Sequence, residues 1–278
     1  LSFKKLFNKA SGAIAGISML ALAGCQMNIT EFETKLTNYG EPFPSHVFDA
    51  NALQRIAGEE DRLKVLPKGS FARVGRIIVG PGSYGTGVLV GPNIVMTADH
   101  VTESDSGRTY APSQLTFHAG YSDGKAVASS RVVAVIAPAT SVLGGVKNNA
   151  QHSFNDVAFL VLEDNLGDRL GYETIARSYP KPEANGRYLG AVVGNNRNHT
   201  QMTTGDFQCS YTKGFPDRRV LNFNCDVDRG DSGGPLYSWR FNAASGTYQR
   251  EIVGVVSTRD RTGGTAYSVV GSAVPRLR

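Results

Sequence analysis

The chain holds a single tryptophan, three cysteines and few charges, with Asp, Glu, Lys and Arg making up only 19% of its 278 residues. So sparse a cysteine set excludes a small disulfide-stapled fold, and a chain of this length can bury a full hydrophobic core without staples. No apolar run reaches the ~18 residues that mark a membrane-spanning helix. Clusters of metal ligands and phosphate-cradling glycine loops are also missing, so no metal or cofactor is expected. What is plentiful is glycine, at 32 residues. Abundant glycine with few charges suits short strands and turns better than a helical bundle.

The N-terminal stretch "LSFKKLFNKASGAIAGISMLALAGC" has a basic head, Lys4, Lys5 and Lys9, followed by an apolar segment from about residue 13 to 23. That layout reads as an export signal over 1–24. Its end, "LAGC" at 22–25, resembles the lipobox of bacterial lipoproteins, in which cleavage before Cys25 leaves that residue to carry the lipid. An ordinary signal peptide with a chance cysteine is the alternative. Removing 1–24 takes away three lysines and no acids, so the net charge falls from +5 to +2. A charge that small does not point to nucleic acid as a partner. The expected location is the cell envelope, anchored to a membrane through Cys25, with release by processing as a further step.

With Cys25 lipidated, Cys209 and Cys225 remain as an even pair in an oxidising compartment. They flank "SYTKGFPDRRVLNFN", in which β-favouring residues surround a turn-like "GFPDR". Two strands pairing across that turn bring the cysteines within bridging range. Two unpaired buried thiols are the other reading.

Residues 26–55 are polar and lack sustained periodicity, and read as a tether or pro-segment over 25–55. From Phe71 the pattern changes to short β-rich runs such as "FARVGRIIV", "GTGVLV", "NIVMT", "DVAFLVLE", "YLGAVVG" and "EIVGVVST". About a dozen such runs divided by turn residues predict an all-β barrel or sandwich, the main domain covering 56–278.

Three segments stand out within these runs. "TADHV" places His100 just after an apolar strand, "NDVAF" places Asp156 just before one, and "GDSGGPL" sets Ser232 among glycines. Taken singly, each is more often structural than catalytic. Together, in the order His, Asp, Ser, they resemble the catalytic motifs of trypsin- and chymotrypsin-like serine endopeptidases. The resemblance covers about 56–272, and "GEEDRLKV" at 58–65 is similar to the start of bacterial glutamyl-endopeptidase-type members. A Ser-His-Asp esterase is disfavoured, because its triad runs Ser, Asp, His and its serine sits between a strand and a helix.

The resemblance implies two packed six-stranded antiparallel β-barrels with the active site in the cleft between them. It implies Ser232 as nucleophile, His100 as the base that takes its proton, and Asp156 as the group that orients the imidazole. Backbone N–H groups of Gly230 and Ser232 form the implied oxyanion hole. Asp226, six residues before Ser232, takes the position of a carboxylate that selects Arg or Lys at P1, and Ser257 that of a residue lining the substrate strand. Arg259, near the pocket mouth, would instead favour acidic side chains, which keeps a glutamate-specific enzyme as the alternative. A catalytically inactive binding protein on the same scaffold is the other rival. Protein or peptide substrates and a monomeric state are expected.

Departures from the family pattern are also visible. Gly85 and Val101 stand where many animal members carry a bridged cysteine pair, and Asp99 replaces an alanine beside His100 and is expected to face solvent. By analogy with animal relatives, cleavage between Arg55 and Ile56 would free an amino group to pair with Asp231.

Overall fold

The computed structural model describes residues 53–56, 62–80, 82–104, 106–137, 155–214, 219–244, 246–259 and 263–275. The expected signal over 1–24, Cys25 and most of the tether lie outside the described residues.

Two antiparallel barrels account for nearly all of the regular structure. The first is closed by β3 (Val74–Val79), β4 (Ser83–Leu89), β5 (Ile94–Thr97), β6 (Leu115–Ala119), β7 (Ala128–Ile136) and β8 (Ala158–Leu162), in the order β3-β4-β5-β8-β7-β6. The second uses β9 (Tyr188–Gly194), β10 (Thr203–Lys213), β11 (Val220–Phe223), β12 (Pro235–Asn242), β13 (Thr247–Arg259) and β14 (Gly264–Ser268). Its ring runs β10-β11-β14-β13-β12-β9 and is closed by the β9–β10 pairing. Closure leaves neither barrel with an open edge. The expected fold of two six-stranded antiparallel barrels is the fold observed. A single turn of helix, α1 (Leu166–Leu170), lies between them in sequence. No helix among the described residues is long and apolar enough to cross a membrane.

Each barrel is filled by the inward positions of its strands, as period-two patterning requires. Ile77, Leu89, Met96, Leu115, Phe117 and Leu160 are fully buried in the first, and Tyr211, Leu221, Leu236, Val253 and Val255 in the second. The first barrel's core continues into residues of the second, including Tyr237, Ile252 and Val255, so the two barrels pack as one unit.

Two short strands precede the barrels. β1 (Leu53–Arg55) pairs with β2 (Arg62–Val65), and β2 adds to β10 through the pairs Thr203↔Val65 to Asp206↔Arg62. Ordered strand therefore lies on the N-terminal side of Ile56, within the segment expected to be a tether. Cys209 and Cys225 form a disulfide, from β10 to the segment just after β11. A cross-strand register brings them together, with Tyr211↔Phe223 paired two residues inward on that ladder.

Candidate active site

His100 sits in a 3-10 turn, Asp99–Thr102, that follows β5 after one residue. Asp156 lies ahead of β8 with one residue between, and β8 is the neighbour of β5 in the first barrel. Pairing of β5 with β8 in the register Thr97↔Ala158 therefore brings the two residues to the same end of the sheet. There the buried Asp156 carboxylate holds His100 twice: Oδ2 is 2.7 Å from the ring Nδ1, and Oδ1 accepts the backbone N–H at 3.0 Å. The double grip fixes both the position of the turn and the orientation of the ring. Ser257 donates its hydroxyl to the same Oδ2 at 2.5 Å, so a residue of β13 in the second barrel supports the pair.

The electrostatics follow from burial and pairing. Burial pushes the Asp156 carboxyl up, but His100 beside it and the hydrogen bonds from Ser257 and the His100 N–H hold it below its ordinary value. For His100 burial works against the proton, yet Asp156 outweighs it and, with help from Asp99 and Glu103, raises the imidazole above its ordinary 6.5. Asp99 is buried at 5% exposure, contrary to the expectation that it faces solvent. It is drawn in because the Thr102 hydroxyl binds its carbonyl at 2.8 Å and reaches its carboxylate at 3.5 Å.

Ser232 enters from the second barrel on the turn that precedes β12. Its placement depends on Thr86, a fully buried residue of β4. The Thr86 N–H donates to the Ser232 carbonyl at 2.8 Å, and the Thr86 hydroxyl donates to the Gly230 carbonyl at 2.7 Å. The other side of the turn is held by Gly233 N–H to the Val256 carbonyl at 2.8 Å, one residue before Ser257. The nucleophile turn is thus tied both to the strand next to β5 and to the strand that supports Asp156. Gly233 has φ +84°, and a Cβ there would collide with Thr97 Oγ1 and the Thr86 carbonyl. Only glycine fits this contact between the barrels.

Gly230 is also in the left-handed region, at φ +98°. Among the described residues, its N–H and that of Ser232 are engaged by no protein acceptor, which leaves two donors on one turn. A developing oxyanion requires two such donors aimed at one point.

The remaining expected residues are distributed as follows. Gly85 and Val101 do face each other: a Cβ on Gly85 would lie 2.7 Å from a Val101 methyl, so the valine fills the space a bridge would occupy. Asp226 is exposed, its N–H bound to Asp206 and its carbonyl to Arg62. Arg259 forms a 2.8 Å ion pair with Asp228, whose other oxygen accepts from Asn198. Asp231 is fully buried, and its carboxylate is paired with Arg62 at 3.1 Å rather than with the backbone at Ile56. Sequence reasoning missed Thr86 and Arg62. The signal for Thr86 was a polar residue flanked by glycines in an otherwise apolar strand. Arg62, in "DRLKV", carried no local signal, because its partner Asp231 lies 169 residues away.

Comparison with known proteins bears on the family and the fold. A family model described as trypsin-like peptidase domain matches residues 85–242, a span that contains His100, Asp156 and Ser232. No curated protein matches the chain. Among solved structures, a Glu endopeptidase in complex with MPD is similar with a TM-score of 0.57 at 19% identity, covering 78% of this chain and 95% of its own. The thermostable serine protease AL20 from an extremophilic microorganism is similar with a TM-score of 0.54 at 16% identity, over 71% of this chain and 90% of its own. The protease Anisep from Arthrobacter nicotinovorans gives 0.52 at 21% identity, over 72% and 90%. These likenesses establish a shared two-barrel fold, and with the family model matching more than half of its residues, the chain belongs to the trypsin-like peptidase family.

Proposed function

We propose that this protein is a serine endopeptidase that cleaves through an acyl-enzyme, with Ser232 as nucleophile, His100 as general base and acid, and Asp156 as the orienting carboxylate. The observation that carries the reading is the grip of Asp156 on both the ring Nδ1 and the backbone N–H of His100. With Nδ1–H donated to Asp156, Nε2 is the ring nitrogen that takes the Ser232 proton in this mechanism. Ser232 Oγ then bonds to the scissile carbonyl carbon, and the carbonyl oxygen takes the negative charge. The N–H groups of Gly230 and Ser232 receive that charge. Return of the proton from His100 to the leaving amine breaks the peptide bond, and water, activated by the same imidazole, releases the acid.

For the P1 side chain the reading favours Arg or Lys. The Asp226 carboxylate is exposed, and among the described residues it is engaged in no ion pair. Arg259, the cation that would attract an acidic side chain, is neutralised by Asp228. The chain is further proposed to be exported, cleaved before Cys25 and held at the cell envelope by lipid on that cysteine. Anchoring of this kind requires more than one acyl chain for stable residence.

The test is hydrolysis of an unbiased peptide library by the wild-type protein beside Ser232→Ala. Cleavage that is lost in the variant supports the mechanism, and cleavage that survives it removes Ser232 from the chemistry. A cleavage pattern centred on Arg and Lys, and weakened by Asp226→Ser, supports the pocket assignment, whereas cuts after Glu overturn it. Intact mass of the membrane-extracted protein, compared with Cys25→Ser, tests the lipid.

A further inference from the structure

The carboxylate of Asp231, one residue before Ser232, is completely buried, so it requires compensating donors or a cation. It receives one donor from its own turn, the Asp228 N–H at 2.9 Å. The rest comes from Arg62, itself 2% exposed: Nη1 lies 3.1 Å from Oδ2 and Nη2 3.2 Å from Oδ1, a two-pronged contact. The same guanidinium donates from Nε to Thr204 Oγ1 at 2.9 Å and from Nη1 to the Asp226 carbonyl. One side chain therefore joins β2, β10, the start of the nucleophile segment and its last residue before Ser232. Gly194 closes the far side, since a Cβ there would strike Asp231 Oδ1. Burial pushes the Asp231 carboxyl up, and Arg62 is the strongest influence in the opposite direction, while Asp226 adds a like charge and Tyr84 lies within electrostatic reach.

We propose that Arg62 is a positioning residue that holds the turn from Asp228 to Ser232 in its oxyanion-binding shape, so that the uncut chain is catalytically competent. The inference rests on the serine-peptidase reading given above. It assigns to strand β2 the task that a newly freed amino group at Ile56 would otherwise perform. β2 is fixed for this by pairing with β10 on one side and β1 on the other, so the cation is delivered by folding alone. The two cations differ in titration. An α-amino group loses its charge near pH ~8, whereas a guanidinium keeps it past pH ~12.

The experiment compares wild-type protein with Arg55→Gln, Arg62→Lys and Arg62→Gln, using one peptide selected from the library. It reads kcat and KM against pH, circular dichroism and intact mass. Arg55→Gln is expected to remain within about twofold of wild type, with an unbroken chain. Arg62→Gln is expected to lose at least ~100-fold in kcat, the scale of an impaired oxyanion site, with KM changed far less. Arg62→Lys should retain part of kcat and show a new loss of activity at alkaline pH as the buried ammonium deprotonates. A merely structural role would not create that limb. The proposal is overturned if Arg62→Gln keeps kcat within threefold of wild type, or if active protein always begins at Ile56. It is also overturned if Arg55→Gln is inactive. Should Arg62→Gln fail to fold, the alkaline limb of Arg62→Lys decides: its presence supports the assignment and its absence overturns it. Unbroken wild-type protein that cleaves nothing also overturns the proposal, whereas silence from protein that begins at Ile56 as well would sink the underlying peptidase reading, an outcome visible without any change at Arg62.

Discussion

Ser257 and His100 share one oxygen of Asp156: the serine hydroxyl and the imidazole Nδ1 lie 2.5 and 2.7 Å from the same Oδ2. Ser257 was expected to serve the substrate strand, and its side chain has a second task in supporting the carboxylate. Replacement by alanine removes one donor without disturbing the two bonds to His100. Ser257→Ala is therefore expected to lower kcat by about 3- to 10-fold, the value of one hydrogen bond of about 1 kcal/mol. Steady-state kinetics on a library-derived peptide would show it, with far-UV circular dichroism unchanged.

Asp156→Asn should be far more severe. An amide cannot accept from both the ring and the backbone N–H while stabilising an imidazolium, so kcat is expected to fall about 10⁴-fold. The pH profile should move as well. In the wild type, His100 titrates above 6.5 because of Asp156, so kcat/KM falls as pH drops through that raised value. Without the carboxylate the limb shifts to lower pH. The same raised value contributes folding stability that is complete below the unfolded pKa of about 6.5 and is lost as pH rises through the folded one.

The Cys209–Cys225 bridge closes a loop with a sequence separation of 16 residues and ends one residue before Asp226. Loop closure of that length is worth about 3 kcal/mol. Replacing both cysteines by serine should lower Tm by about 6–12 °C in a domain of this size. Calorimetry of the double variant measures it, and unreduced wild-type protein gives the reference.

Gly233→Ala tests the contact between the barrels. The left-handed φ and the collision with Thr97 Oγ1 together should cost about 2–5 kcal/mol. Urea unfolding is expected to show the loss, and activity should fall with it because the Ser232 turn is displaced from β4.

Much of this molecule is written in local patterns, and much is not. "TADHV", "NDVAF" and "GDSGGPL" are each a strand end joined to a turn, so the sequence shows both the side chain and the element that aims it. Strands such as β3, β5 and β8 announce themselves through apolar runs. β6 and β10 are harder to see: "TTGDFQCSYTK" carries glycine, aspartate and serine within eleven residues, yet Asp206 is buried there to bind the Asp226 and Gln208 N–H groups. Arg62 shows a stricter limit. It lies 169 residues from Asp231, and nothing local in "DRLKV" indicates that the arginine points inward. Its neighbours become apparent only when β2 is laid against β10. Asp99 misled for a related reason, since an acid next to His100 looks solvent-facing until Thr102 folds over it within one helical turn.

The central claim, that Ser232 is a nucleophile activated by His100, is tested most directly by covalent labelling with a phosphonofluoridate, followed by intact mass and peptide mapping. The account predicts one adduct per chain, located on Ser232, forming at least ~1000-fold more slowly in His100→Ala. Labelling at another residue, or an adduct rate indifferent to His100, would contradict it.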